Sequence, residues 1–344
     1  MPCPFCLCTN LPDARACRVC GGPLHATKPM LAPIAIISTP AAPTTPAAPT
    51  LLARQTFDQN ALPLAAVGAG SDENSPIVLV RPNGVVQIWD AQSDEISSFS
   101  IGRWFRKSSP ICCATVTANL VATGHENGEA RLHALNGREL KSPASHIGPV
   151  LALALTPTHL YSGGNDGVIA VTPLIAKSKS RTLLDGLGAM TTLAVAPDET
   201  LLAVGRDDGA IQLWRPNAEP TSARLDWTRS GHDAPIQSLA FSPNGQMLVS
   251  RHKDGFLCLW AAQTSYQLPL APQSSQVAPA FLGDNRWLAV AGARGGVEVF
   301  DVALGTLLRE LPPLGEEIQC LAFAPGKNWL VVAGAREIAV WKFL

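Results

Sequence analysis

The chain has 344 residues, a formal net charge of −1 and 47% hydrophobic residues. This charge gives no global attraction to nucleic acid or to an anionic membrane, and no apolar run approaches the ~18 residues of a membrane-spanning helix. The N-terminal residues also lack the basic and apolar regions of a secretory signal, so we expect a cytoplasmic protein with no membrane segment.

Cysteine is concentrated near the N-terminus, where five of the nine cysteines fall within the first 20 residues. Two Cys-x-x-Cys pairs, Cys3 with Cys6 and Cys17 with Cys20, are separated by ten residues. Each pair can turn two thiolates toward one ion, and four sulfur ligands at tetrahedral corners suit Zn²⁺. We therefore predict one structural zinc ion held by these four residues, with no open position for water or substrate.

Residues 1–26 resemble the small zinc ribbons at the N-termini of many prokaryotic proteins. The pattern of these ribbons ends in Cys-x-x-Cys-Gly-x-Pro-Leu, and Cys17–Leu24 has the same sequence pattern. Leu7 departs from that pattern, because Gly is usual there. So short a segment cannot build a core, so the metal would supply its folding energy. An iron centre stays open as an alternative, as does thiol exchange, although no βαβ context surrounds either pair. Cys8 is a fifth thiol that could compete for the metal or stay unbound.

Residues 27–52 read as a linker between two folded parts. They hold six prolines among Ala and Thr, and their one charged residue is Lys28. Such a composition cannot form a core and favours an extended, semi-rigid chain. The prolines are Pro29, Pro33, Pro40, Pro43, Pro46 and Pro49.

From residue 53 to the end, one segment keeps returning: a polar or Gly turn, a short alternating strand and usually an aromatic residue. The copies end at positions spaced by 44, 39, 42, 46, 40 and 41 residues. A steady period of about 40 with strands in each unit indicates a radial β array. The last residues of the copies are Trp89, His133, Thr172, Trp214, Trp260, Phe300 and Trp341.

Each unit offers further strand signals before its closing segment. In the fifth unit we predict strands at Ile236–Ser242, Met247–Ser250 and Phe256–Trp260, and a looser one near Tyr266–Leu270. Pro and Gly fall in the turns between them. Four cysteines lie in strand-like apolar stretches and are predicted to be buried small hydrophobic residues, namely Cys112, Cys113, Cys258 and Cys320.

Residues 53–344 resemble the WD40 family of β-propellers. Phe-Ser-Pro-Asn-Gly at 241–245 is similar to the family's strand–turn signature, and Gly231-His232 is similar to its opening dipeptide. The resemblance implies an all-β, seven-bladed propeller. It also implies that a strand from the start of the domain, at Leu51–Phe57, completes the seventh blade and closes the ring.

The same resemblance implies a structural hydrogen-bond network in each blade, linking a loop His, a strand Ser or Thr, a turn Asp and the closing Trp. The third unit lacks the Trp and has His146, Ser162 and Asp166. We assign these residues a structural role and no catalytic one. The fifth unit carries the whole set: His232, Ser250, Asp254 and Trp260.

The resemblance implies that the loops between blades and the turns between second and third strands share one face, and we predict a partner-binding surface there. One such loop contains Arg103, Trp104, Phe105 and Arg106, and Trp and Arg often anchor interfaces; alternatively, Trp104 packs back onto a neighbouring blade. The turns carry arginines that we hypothesise form a basic ring for an acidic peptide or a phosphate group. Alternatively, Asp207, Asp254 and Glu337 neutralise the ring. The arginines are Arg81, Arg206, Arg251, Arg294 and Arg336.

The expected function is that of a non-enzymatic scaffold, monomeric by itself, with the ribbon as a second, tethered contact to a protein or peptide partner. The chain has no phosphate loop, nucleophile elbow or His-Glu-x-x-His motif, and its seven histidines are scattered. One alternative is an RNA- or ribosome-associated factor, although the ribbon with its four thiolates is not basic. Another is an enzyme or ligand sensor with a site in the central channel.

Overall fold

The structure is a computed structural model that describes residues 49–56, 66–69, 76–101, 109–117, 119–174, 179–217, 222–230, 233–261, 267–270, 277–283, 285–292, 295–324 and 327–343. Several predicted features lie outside these residues. They are the zinc ligands Cys3, Cys6, Cys17 and Cys20, most of the linker, Arg103–Arg106, His232 and Arg294.

The described residues form seven antiparallel sheets, each with four strands. The first three sheets contain β2 (Ala66–Ala69), β3 (Ile77–Val80), β4 (Val85–Asp90) and β5 (Glu95–Ser100); β6 (Ile111–Val116), β7 (Leu120–His125), β8 (Glu129–Ala134) and β9 (Glu139–Ser145); and β10 (Val150–Leu155), β11 (His159–Gly164), β12 (Ile169–Pro173) and β13 (Arg181–Leu184).

The fourth to sixth sheets follow the same meander. They contain β14 (Met190–Val195), β15 (Leu202–Arg206), β16 (Ala210–Pro216) and β17 (Ala223–Ser230); β18 (Ile236–Phe241), β19 (Met247–His252), β20 (Leu257–Ala261) and β21 (Gln267–Leu270); and β22 (Ala280–Leu282), β23 (Trp287–Ala291), β24 (Val297–Asp301) and β25 (Thr306–Leu311). The seventh combines β26 (Cys320–Ala324), β27 (Trp329–Ala333) and β28 (Glu337–Lys342) with β1 (Thr50–Thr56).

The sheets are the blades of a closed ring. The first strand of each blade contacts the first strand of the next, in the cycle β2, β6, β10, β14, β18, β22, β26 and back to β2. The fold is therefore an all-β, seven-bladed β-propeller, as predicted. We call the face with the loops between blades and the turns between second and third strands the upper face. The turns between first and second strands, and between third and fourth, form the lower face.

The strand from the start of the domain closes the ring. β1 pairs with β28 in antiparallel register, with Leu51 opposite Trp341 and Arg54 opposite Ala339. Arg54 also forms an ion pair with Glu337. Because β1 begins at Thr50, residues 50–52, assigned to the end of the linker from sequence, are part of the seventh blade.

The closing residues occupy one equivalent position in all seven blades. Each lies on the third strand opposite an aliphatic residue of the second strand, as Trp260 lies opposite Leu248 and His133 opposite Val121. Trp260 is 2% exposed and packs in a cluster with Leu213 of the preceding blade. The repeated segment thus supplies the core between blades, where burying a large apolar side chain contributes about 2 kcal/mol.

The four cysteines of the propeller differ in exposure. Cys258 is fully buried, and burial raises the pKa of Cys113 and of Cys320 to about 12. The prediction of a buried Cys112 was wrong, since this residue is exposed. It lies at the bulge between Ile111 and Cys113, where the pairing register with β7 shifts.

In the described part of the chain, no helix is long and apolar enough to cross a bilayer.

Candidate functional site

Two of the arginines predicted to form a basic ring lie inside the propeller. Arg81 is 4% exposed and donates from Nε to Gln87 Oε1 at 3.0 Å and from Nη1 to the carbonyl of Ala335 at 3.3 Å. Because Ala335 belongs to the seventh blade, this contact joins the first and seventh blades. Arg251 is fully buried, and burial lowers the pKa of both guanidinium groups.

The burial of Arg251 follows from its register in the fifth blade. Arg251 is on the second strand of its blade, opposite Ser238 of the first strand. At the position equivalent to Arg251, the second, third and fourth blades have Gly124, Gly163 and Gly205. A Cβ at Gly205 would come within 2.6 Å of Ile236 in the next blade. The position therefore faces an interface between blades, which accounts for the burial of Arg251.

Arg206 and Arg336 lie nearer the surface of the upper face, and both are ion-paired. Arg206 Nε is 3.2 Å from Asp208 Oδ2, and its Nη1 donates to the carbonyl of Leu187. Arg336 Nε is 3.3 Å from Glu316 Oε2. These contacts correspond to the alternative that carboxylates neutralise the arginines, through Asp208 and Glu316 instead of the expected residues.

Carboxylates outnumber cations at the surface of the described upper face. Lys253 and Arg336 are exposed there, and Arg206 is half-buried. An exposed surplus of one sign favours association with the opposite sign. Four further cations assigned to this face from the sequence, Arg103, Arg106, Lys107 and Arg294, lie outside the described residues, so the surplus of carboxylates belongs to the described part alone. Its exposed carboxylates are Glu126, Asp185, Asp207, Asp208, Asp233, Asp254 and Glu317.

The upper face also carries an exposed isoleucine, Ile147. Ile147, in the loop between β9 and β10, is 86% exposed. Its backbone N–H donates to Asp166 Oδ2 at 2.8 Å, and Asp166 Oδ1 is 3.2 Å from His146 Nδ1. Nε2 of the buried His146 is 2.9 Å from Ser162 Oγ. This network, with the bond from the N–H of His146 to the carbonyl of Gly128, fixes the backbone that leads into the exposed side chain.

Asp166 is the centre of the network and is ionised at neutral pH. Burial raises the pKa of its carboxyl, but hydrogen bonds from the backbones of Ile147 and Val168 and from His146 outweigh burial and lower it. The resemblance pointed to His146, Ser162 and Asp166, and the structure brings these three together. It did not point to Ile147, whose exposure depends on the loop geometry that Asp166 sets.

The fifth-blade network is visible in part. Trp260 Nε1 donates to Ser250 Oγ at 2.9 Å, and Asp254 Oδ1 accepts from the backbone of Phe256 at 3.2 Å. His252 adds a bond that sequence reasoning missed, because its Nδ1 lies 2.9 Å from the carbonyl of Ala234 in the loop before the blade. These bonds fix loop positions and have a structural role.

The described residues contain no group of three or more His, Cys, Asp or Glu side chains that could hold a metal ion. The predicted zinc ligands lie outside them, so the zinc site stays a prediction. Within the propeller, the raised pKa values of Cys113 and Cys320 keep both thiols protonated at neutral pH. Zinc binds cysteine as the thiolate, so these two residues are poor competitors for the ion.

Two stretches, residues 179–215 and 224–261, match the family described as "WD domain, G-beta repeat". The chain carries WD40 repeats. Each match begins on the fourth strand of one blade and ends on the third strand of the next, at β13 to β16 and β17 to β20. The sequence repeat is therefore offset by one strand from the blade. As a result the last blade lacks its outer strand, and β1 from the start of the domain provides it.

Curated proteins from several eukaryotes are similar to part of this chain. The nuclear distribution protein nudF of Aspergillus niger is 28% identical over 196 residues, covering 54% of this chain and 43% of the relative. Its namesake in Emericella nidulans is 30% identical over 197 residues, with the same coverage. Protein TOPLESS of Arabidopsis thaliana is 30% identical over 137 residues, covering 38% of this chain and 12% of the relative.

The chain spans less than half the length of these relatives. Proteins with WD40 propellers typically act as protein-interaction scaffolds, and most of them are not enzymes. A shared fold does not transfer a particular partner, so the partner has to be argued from the surface of this chain.

Proposed function

We propose that this protein is a non-enzymatic scaffold whose upper face binds a protein partner. The observation that carries the proposal is Ile147, whose side chain is 86% exposed while its backbone is held by Asp166. An apolar side chain kept in water gains free energy when a partner buries it, by about 2 kcal/mol for a full burial. Because the loop is already ordered, little conformational entropy is lost on binding.

The surroundings of Ile147 favour a particular kind of partner surface. Glu126 and Asp185 are exposed on the same face, which has a surplus of carboxylates in its described part. A partner with an apolar recess for Ile147 and basic residues at its rim would complement this arrangement. The predicted anchor Trp104 belongs to the loop before the second blade, next along the ring from the loop of Ile147, and would extend the same contact.

The zinc ribbon is the second part of the proposal. Tethered by residues 27–48, it would contact the same partner at another point or a second partner. A short tether converts the second contact into an intramolecular step at an effective concentration of about a millimolar. The RNA-associated and channel-site alternatives remain predictions from the sequence.

The experiment compares proteins captured by the wild-type chain with those captured by Ile147→Asp. A charged side chain at this position should remove partners that bury it, with a loss of at least tenfold in affinity. Leu304→Asp is the matched control, since Leu304 is 65% exposed, its backbone N–H is held by Asp301 at 3.0 Å, and it lies on the lower face.

The measurement is quantitative mass spectrometry of the captured proteins, followed by affinity measurement with each purified candidate. A partner retained by Leu304→Asp and lost with Ile147→Asp supports the upper-face interface. If every reproducible partner binds both variants equally, the interface is elsewhere.

A further inference from the structure

The lower face has a polar cavity between the third and fourth blades, opposite to the face of Ile147. Its volume is about 720 Å³. Three segments line it: residues 157–161 at the turn before β11, residues 197–200 at the turn before β15, and Arg215–Asn217 at the end of β16. The turns of two blades therefore form one concave site.

Glu199 joins the two turns. Its carboxylate accepts hydrogen bonds from the hydroxyl of Thr158, from His159 Nδ1 at 2.7 Å and from the hydroxyl of the buried Tyr161 at 3.4 Å. Burial raises the pKa of Glu199, but the hydrogen bonds of Thr156, Thr158 and His159 outweigh it and keep the carboxyl ionised at neutral pH.

The ionised Glu199 orients the ring of His159. Because Glu199 accepts at Nδ1, that nitrogen carries a proton, and the contact orients the ring. His159 lines the cavity and is partly exposed. The ring therefore forms a wall of the cavity that is fixed by its contact with the neighbouring blade.

Asp198 adds an exposed carboxylate beside Glu199. Its Oδ1 accepts from the backbone and the hydroxyl of Thr200, at 3.1 and 2.9 Å, which fixes the side chain in the turn. Arg215 is the guanidinium in the lining, and its Nε is 2.5 Å from Asp226 Oδ2. Asp226 is shared with Arg224, whose Nη2 is 2.8 Å from Oδ1. The lining itself holds two carboxylates, Asp198 and Glu199, against the one guanidinium of Arg215, which leaves an excess of one carboxylate.

Three rigid apolar groups complete the walls, namely Pro157, Pro197 and Pro216. A long basic side chain combines an apolar stem with a cationic head, and such stems pack along apolar surfaces while the head stays polar. The geometry points to a binding site for an arginine or lysine side chain of a peptide partner. Its head would donate to Asp198, and its stem would lie against the prolines.

Nuclear magnetic resonance titration of the full chain tests this site with a small probe. The probe is N-acetyl-arginine amide, and N-acetyl-citrulline amide has nearly the same shape without the charge. We expect saturable shifts at Asp198, Glu199 and the ring of His159 with the arginine probe. The citrulline probe should bind about tenfold more weakly, because a charge-assisted hydrogen bond is lost.

Asp198→Asn separates the charge from the turn. The amide oxygen can still accept from Thr200, so the fold is kept, and affinity for the arginine probe should fall about tenfold. Asp90→Asn is the matched control, because Asp90 also lies on the lower face and accepts from the backbone of Gln92 at 2.9 Å, but in the first blade. This variant should bind as the wild type does.

Three results would overturn the proposal: no saturable shift at the cavity, equal binding of the two probes, or equal weakening by Asp198→Asn and Asp90→Asn. Each would mean that the cavity does not recognise the cation. The upper-face proposal does not depend on this result, because Ile147→Asp changes a loop on the opposite face.

Discussion

His133 is a buried ionisable residue at a position where five of the other six blades have an aromatic ring. It is 3% exposed, and neither ring nitrogen has a hydrogen-bond partner within the described residues. Burial, with smaller contributions from the charges of Arg131 and His125, lowers the pKa of His133 to about 4. The sixth blade places Phe300 at the same position.

His133→Phe should remove a pH-dependent loss of stability. Between pH 6.5 and about 4 the unfolded chain binds a proton that folded His133 does not bind, so the free energy of unfolding falls as pH falls through this window. The loss is about 1.4 kcal/mol per pH unit at most. Denaturant unfolding at pH 5 and pH 8 should show the variant gaining stability relative to the wild type at the lower pH.

The reverse exchange, Phe300→His, is the control for this effect. It places an imidazole in the equivalent buried position of the sixth blade and should make stability fall more steeply toward pH 5. An unchanged pH dependence in both variants would show that the closing position does not hold the imidazole neutral.

At the scale of the element, the strands illustrate what the sequence could and could not predict. The closing residues recur with a period of about 40, and one tight turn precedes each, so blade number and strand order could be predicted. The position of Arg251 could not, because its burial depends on a bulge between Ile236 and Ser238 that shifts the register of the pairing. Local patterns do not reveal such a shift.

The cavity between the third and fourth blades was invisible in the sequence for another reason. Thr158 and Glu199 lie 41 residues apart in the chain. They meet because the turn between the first and second strands has an equivalent position in each of two adjacent blades, the third and the fourth. Neither turn has a motif by itself. The acceptor of the imidazole proton can be recognised only after the blades are placed side by side.

The first strand gives a prediction about the boundary of the domain. A chain starting at residue 53 lacks Thr50 and Leu51, which pair with Lys342 and Trp341. The outer edge of the seventh blade is then partly uncovered, and several backbone hydrogen bonds of about 0.5–1.5 kcal/mol each are lost. Residues 53–344 should therefore be less stable than residues 49–344 by about 2 kcal/mol.

Thermal unfolding of the two truncated chains at equal concentration measures this difference. Residues 49–344 retain all of β1, including Arg54 and its contact with Glu337, and serve as the control. Equal transition temperatures would show that the first residues of β1 do not contribute to closing the ring.

At the scale of the whole molecule, the predicted metal and the propeller should be separable. No metal-binding group of three side chains exists among the described residues, and all four predicted ligands precede β1. The full chain should contain one zinc ion, measured by elemental analysis, and residues 49–344 should contain none. Cys17→Ser should abolish zinc binding, because the three remaining predicted ligands do not close the tetrahedral site unless Cys8 takes the vacant position. Chelation should leave the transition temperature of the propeller unchanged, because its blades are joined by apolar contacts and by β1. Full metal content in Cys17→Ser, or zinc in residues 49–344, would show that other residues bind the ion.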